Sequence, residues 1–475
     1  MIKWLTALIL LCGSWIGYSQ PVITVNNSLA RKDVNGKIVD AHDGRIIQFG
    51  KTFYWYGTQY GNTNGFTTAN EYVCYSSPDL MNWKFEGPIL PEKPLGVYYR
   101  PHVVYNAQTK KYVLWYNWYP KLWDGQFGVA TSDNPIGPFT VINSNVTMKH
   151  QNLGVGDLGV FVDDDGVAYV SYNTITGHKV SVERLNETYT ASIMQGSAFI
   201  AEHCEAGSMF KRKDTYYLLT DYTCCFCTQG SGAQVFTSKS PLGPYKFQQN
   251  INRYPGDLAP LLLDGKVNAN LYETLLPKQQ HALEWHLPKT VKVTTIVLQQ
   301  FTGNRAGQCG EVDNPKVHHP ILAHSFKIQA WLNGEWINIA ATSKIKSTAQ
   351  QNQYTISFMP VVTQKIKILP NYADSVQALY ISELSLPGQP QQGMIYKTGN
   401  QVAQRPIIPA QQTYVMEVKT TAGKSLIWMG DLWGSASDNI KGHDYQFWSK
   451  PLVFDQLGFI APLQWVDRYS ITLKP

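Results

Sequence analysis

Three carboxylic residues and one arginine stand at matching distances ahead of aromatic residues along the chain. Asp43 lies 11 residues before Tyr54, Arg100 lies 12 before Tyr112, Asp157 lies 12 before Tyr169, and Glu205 lies 11 before Tyr216. Two carboxyl groups across a sugar can cut a glycosidic bond: one donates a proton to the leaving oxygen, and the other activates water or attacks the anomeric carbon. A third carboxylate beside the acid can keep its pKa high by like-charge repulsion. Converging ions lose hydration unless they are paired or solvated, so a packing role explains four of them at one repeat position poorly.

The elements that must position them repeat. A strand, a polar turn and a second strand rich in Tyr and Trp recur as "GRIIQFGKTFYWYG" (44–57), "HVVYNAQTKKYVLWYN" (102–117), "LGVFVDDDGVAYVSYN" (158–173), "GSMFKRKDTYYLLTD" (207–221) and "YVMEVKTTAGKSLIWMGD" (414–431). An outer pair of strands follows, marked by "TSDNPIGPF" (131–139) and "TSKSPLGPY" (237–245). Multi-strand units of this length predict an all-β, five-bladed propeller, in which the first strand of each blade lines the axis and collects distant residues at one mouth. The long gap between the fourth and fifth hairpins holds strands such as "SFKIQAWLNGEWINIA" and "YTISFMPVVTQKIKIL", which alternate as in a β-sandwich. The expected organisation is a signal peptide at 1–20, a propeller from 21–250 and 389–475, and a sandwich inserted at 251–388.

Composition narrows the class. Charged residues are 16% of the chain, against about 25% in an average domain, while aromatics are 13%. The net charge of +6 is spread without a basic run, which argues against a nucleic-acid partner. The opening "MIKWLTALILLCGSWIGYSQ" has the layout of a secretory signal, predicting export to the periplasm or cell exterior, and no later window is apolar enough to span a bilayer. Lipoprotein anchoring through Cys12 is disfavoured because Leu11 is bulky. In an oxidising compartment, the register of the fourth hairpin predicts that Cys204 and Cys224 face each other, as a disulfide or at least in close approach.

These residues resemble glycoside hydrolase family 43. "DGRII" (43–47) fills the place of that family's base motif, with Gly44 where the family has proline; "GDLGVFVDDDGVAYV" fills the modulator segment and "CEAGSMFKRKDTYYL" the acid segment. The resemblance implies a five-bladed propeller with Asp43 as general base, Asp157 as pKa modulator and orienter, and Glu205 as general acid, acting with inversion. "WMGDLW" resembles the closing blade of the galactanase-like and furanosidase-like branches, and the inserted segment resembles a discoidin-like (factor V/VIII C-domain) module, which implies carbohydrate binding. Retention of Asp43 where the exo-β-1,3-galactanase group reads "AHGGG" points to an exo-acting enzyme removing β-D-galactofuranosyl or α-L-arabinofuranosyl residues from polysaccharide side chains. The alternatives are an exo-β-1,3-galactosidase acting on arabinogalactan and a non-catalytic glycan-binding protein. Substrate contacts are expected from His42, Arg100, Trp115, Trp118, Gln229 and Trp433, with Trp123 as a further stacking surface; His42 could instead hold a backbone group. No cofactor is required; His443 is the candidate axial ligand for a structural Ca²⁺. The expected partner is an oligo- or polysaccharide, and the expected state is monomeric.

Overall fold

Each hairpin read from the sequence is the inner half of an antiparallel sheet, and five such sheets stand around one axis. The computed structural model describes residues 22–474 apart from 224, 229, 254–256, 268–272, 276–279, 302–324, 350, 372–378, 401–405 and 439. Blade one comprises His42–Phe49, Thr52–Gln59, Glu71–Ser77 and Lys84–Pro88; blades two, three and four repeat this four-stranded meander from Val97, Val155 and Cys204. Blade five has three strands, Gln411–Thr420, Gly423–Leu432 and Tyr445–Trp448. The five inner strands pack side by side in a closed ring, blade five returning to blade one. The chain ends lock this closure: Val22–Asn26 pairs with Arg468–Thr472, and the Asn27 side chain bonds both the N–H and the carbonyl of Trp448.

Blade sheets are covered on both faces by their neighbours, so their strands bury consecutive residues instead of alternating with solvent. Trp115, Trp428 and Tyr72 are all fully buried in this way. Every inner hairpin is broken by a β-bulge at the same level: after His42, Tyr99, Val155, Glu205 and Gln412. A bulge bends the strand and re-aims the side chains beside it. In all five blades, that place is the mouth of the axial channel.

The inserted segment forms a seven-stranded sheet built on two 20-residue strands, Ala282–Phe301 and Gln351–Pro370. Register shifts near residues 287–294 divide these strands into two halves. One half carries Phe326–Leu332, Glu335–Ile339 and Met394–Thr398; the other carries Ala341–Ser347 and Glu383–Ser385. Met394–Thr398 pairs with Ala282–His286, so the sheet extends past the boundary expected at 388. Its core residues Trp285, Ile296 and Ile356 are continuous with Leu219, Val235 and Trp428 of blades four and five, which seats the insert against the propeller.

Candidate active site

The bulges place Asp43, Arg100, Asp157 and Glu205 on the wall of a single pocket. Their levels are not identical, as the even spacing in sequence suggested. Asp43 and Arg100 are each the first residue of their bulge, Asp157 is the second, and Glu205 is the residue just before. Asp43 and Arg100 adopt left-handed backbone, with φ of +49° and +53°. That conformation costs a non-glycine residue about 1 to 3 kcal/mol and persists only where its surroundings enforce it. Blade one leaves no room for a side chain beside the base: a Cβ on Gly44 would lie 1.9 Å from the Tyr56 carbonyl oxygen.

Around Arg100 the charges are organised. Its Nη2 lies 3.0 Å from Asp157 Oδ2, while Nη1 donates to the Gln412 carbonyl at 3.0 Å. The side chain is 2% exposed. Burial works against the guanidinium charge, but Asp157, Asp221, Asp43 and Glu205 more than offset it and hold the group protonated. Asp157 is fixed a second time by its N–H, which donates to Asn173 Oδ1 at 3.0 Å.

Asp43 is buried, and Tyr60 Oη donates to its Oδ2 at 2.7 Å. Its Oδ1 has no hydrogen-bond partner among the described residues. Burial pushes the carboxyl up to about 7, against the pull of Arg100 and the Tyr60 hydroxyl. A base works ionised, so activity is expected to rise with pH through about 7. Tyr60→Phe removes a donor that stabilises the charged form, so the acid limb of the pH profile should move up by roughly one unit. A limb that stays in place, or moves down, overturns the assignment.

Glu205 accepts from Gln411 Nε2 at 3.3 Å, and His178 Nδ1 lies 3.9 Å from its Oε1. The Gln411 amide is oriented by its other end, where Oε1 accepts from Trp433 Nε1 at 2.8 Å and from the Phe226 N–H at 3.3 Å. Tyr60, Phe226 and Trp433 form one aromatic cluster with Phe66 and Tyr99 packed against it, and Lys441 Nζ lies 3.9 Å over the Phe226 ring. At the mouth, Trp123 is 48% exposed and tilts against Phe66. Aromatic faces with carboxylates between them suit a sugar ring, whose C–H faces are apolar and whose edges carry hydroxyls.

Trp433 lines this pocket as expected, but several other expected contacts do not. His42 is fully buried behind the pocket with its Nδ1 3.0 Å from Asp431 Oδ1, because adjacent strand residues point to opposite sides. Trp115 is core, its Nε1 donating to the Tyr189 carbonyl at 2.6 Å, and Trp118 stacks on Tyr98 with Nε1 on the Ser144 carbonyl. Gln229 lies outside the described residues, as does Cys224. The register does place Cys204 opposite Tyr222, but Cys204 is a free thiol turned toward Gln234, so the disulfide expected for it is not formed. Among the described residues of this hairpin's exit, Cys227 is disulfide-bonded.

His443 sits on a short 3₁₀ turn, bonds Asp438 at 2.6 Å in an exposed contact, and does not line the pocket. The buried axial histidine is His102, which accepts from the Val160 N–H at 3.2 Å. Burial, Arg45 and Arg100 hold it neutral. Two guanidiniums beside one imidazole do not fit a calcium ion, which demands several oxygen ligands. Among the described residues, no group of three His, Cys, Asp or Glu is arranged for a metal.

The family model of glycosyl hydrolases family 43 matches residues 37–253, which hold blades one to four and all four charged pocket residues. Those residues belong to glycoside hydrolase family 43. Among curated proteins, the chain is similar to the arabinoxylan arabinofuranohydrolase of Bacillus subtilis, at 25% identity over 236 residues, 41% of this chain and 44% of that protein. Among solved structures, a family 43 β-1,3-galactosidase covers 94% of the chain at TM-score 0.53 and 17% identity, and 63% of it is covered in return. The exo-β-1,3-galactanase of Clostridium thermocellum covers 94% at TM-score 0.54 and 20% identity, with 67% covered in return. At these identities the structural likeness is one of fold. The chain thus spans less than half the length of the curated relative and under two thirds of the first of these structures.

Proposed function

We propose that this protein is an exported, exo-acting, inverting glycosidase that removes furanosyl residues, β-D-galactofuranosyl or α-L-arabinofuranosyl, from polysaccharide side chains. The observation that carries the reading is the convergence of Asp43, Asp157 and Glu205 around Arg100 in one aromatic-walled pocket. In the proposed reaction, water beside Asp43 Oδ1 attacks the anomeric carbon and gives its proton to that carboxylate. The bond to the leaving oxygen breaks as Glu205 protonates it, so one water is consumed and the anomeric configuration inverts. Asp157 orients the site through Arg100, and Trp123 offers a face to the sugar beyond the cleaved bond. Family membership and the arabinofuranohydrolase relative support the furanosyl reading.

A second reading, an exo-β-1,3-galactosidase, is favoured by the likeness in fold to a β-1,3-galactosidase and to an exo-β-1,3-galactanase. Turnover of nitrophenyl arabinofuranoside, galactofuranoside, galactopyranoside and xyloside separates the two. A furanoside is expected to be cleaved fastest; preference for the galactopyranoside would overturn the sugar assignment while leaving the glycosidase intact. Binding without turnover of any of these or of arabinogalactan would point to a glycan-binding protein instead.

A further inference from the structure

With Asp43 as the base, a reading on which this inference rests, we propose that Asp431 is its positioning residue, working with His42 and Asp40 as a two-armed clamp that ties blade five to the catalytic carboxylate. Asp431 is 388 residues from Asp43, on the second strand of blade five, and is 2% exposed. Its Oδ2 accepts from the Asp43 backbone N–H at 2.7 Å, and its Oδ1 lies 3.0 Å from His42 Nδ1. One carboxylate therefore holds two consecutive residues of blade one, the second of which is in left-handed backbone at φ +49°. The N–H of a residue in that conformation leaves the strand's ladder, and Asp431 supplies the acceptor that blade one itself does not.

The other arm starts from Asp40. Its Oδ1 and Oδ2 accept from the Tyr60 and Gly61 N–H groups at 2.9 and 2.7 Å, which fixes the tyrosine whose hydroxyl donates to Asp43 Oδ2. His42 Nε2 also lies 3.8 Å from Asp40 Oδ1, so the imidazole stands between the two arms, its ring packed 5.0 Å from that of Trp433. The charged groups facing His42 are Asp431, Asp40 and Asp444, and although burial opposes its charge they raise it to about 9. Those facing Asp43 are Arg100 and Asp431, with the Tyr60 and Thr58 hydroxyls. A protonated His42 lets Asp431 accept beside the base without leaving a bare negative charge there. The clamp fixes the Asp43 backbone through one arm and Oδ2 through the other, and Oδ1 is left to meet water.

A double-mutant cycle tests this. Asp431→Asn in the otherwise unchanged protein is expected to lower kcat roughly 10- to 100-fold, the scale of a small misplacement of a reacting group, with KM nearly constant. In an Asp43→Ala background the same change should cost no more than about two-fold, because a residue acting through the base has nothing left to position. His42→Phe, which keeps the packed ring, provides the second variant should Asp431→Asn not fold. The pH profile separates positioning from general support: losing Asp431 removes a negative charge and moves the acid limb down, whereas losing the His42 cation leaves that charge bare and moves it up. Equal losses in both backgrounds, or limbs that do not move in opposite directions, overturn the clamp. Full activity of Asp43→Ala would instead overturn the base itself, a distinguishable outcome.

Discussion

Glu205→Ala should reduce turnover of a sugar-linked substrate by about 10²- to 10⁴-fold, the usual contribution of a positioned proton donor, yet reduce turnover of a nitrophenyl glycoside far less. The reason lies in the leaving group. A sugar alkoxide is too basic to depart unprotonated, whereas nitrophenolate departs without help. Asp43→Ala should cost a similar factor on both substrates, because water must be activated whatever leaves. The asymmetry assigns the roles without any structural assumption: loss on both substrates for Glu205→Ala would remove it from the acid's place. Circular dichroism of both variants controls for folding. The Glu205 substitution is also expected to be structurally mild, since the Gln411 amide it releases remains bonded to Trp433 and the Phe226 N–H through its other end.

The outline of the fold and the catalytic carboxylates was legible because both depend on a repeat. Aligning Tyr54, Tyr112, Tyr169 and Tyr216 placed Asp43, Arg100, Asp157 and Glu205 near one another, and the five bulges then absorbed the one- or two-residue differences that counting could not see. Errors arose where the neighbour of a correct residue was assumed to share its direction. His42 follows the strand's alternation and faces away from the pocket, and Trp115 is buried because a blade, unlike an isolated hairpin, has no solvated face. Partners contributed by other blades carried no local signal, as with Gln411 on Glu205. One signal did exist: four of the five hairpin repeats end on Asn117, Asn173, Asp221 or Asp431, a polar residue at the close of the second strand. Three of these lie at the pocket or just behind it: Asn173 holds the Asp157 N–H, Asp431 holds that of Asp43, and Asp221 pairs in register with Glu205.

Removing Arg100 is the substitution expected to damage stability most. Its guanidinium is buried among Asp157, Asp221, Asp43 and Glu205, and burial raises the carboxyls of Asp43 and Asp221 while Arg100 is the largest influence holding them down. Arg100→Met leaves that cluster uncompensated, and loss of one partner from a buried ionic group costs about 3 to 5 kcal/mol. The sign of its pH dependence follows. Arg100 stabilises the ionised carboxylates, so its contribution is full when they are charged and fades as they take up protons. With Asp43 near 7 and Asp221 raised, the gap between the native protein and Arg100→Met should be widest at pH 8 and narrower at pH 5. Arg100→Lys restores the charge but not the fork, and a single ammonium cannot reproduce the two 3.0 Å contacts to Asp157 and the Gln412 carbonyl in their fixed geometry. Its stability should therefore fall between the two. Urea unfolding at both pH values measures the difference, and a gap that widens toward pH 5 would mean that Arg100 is held by something other than these acids.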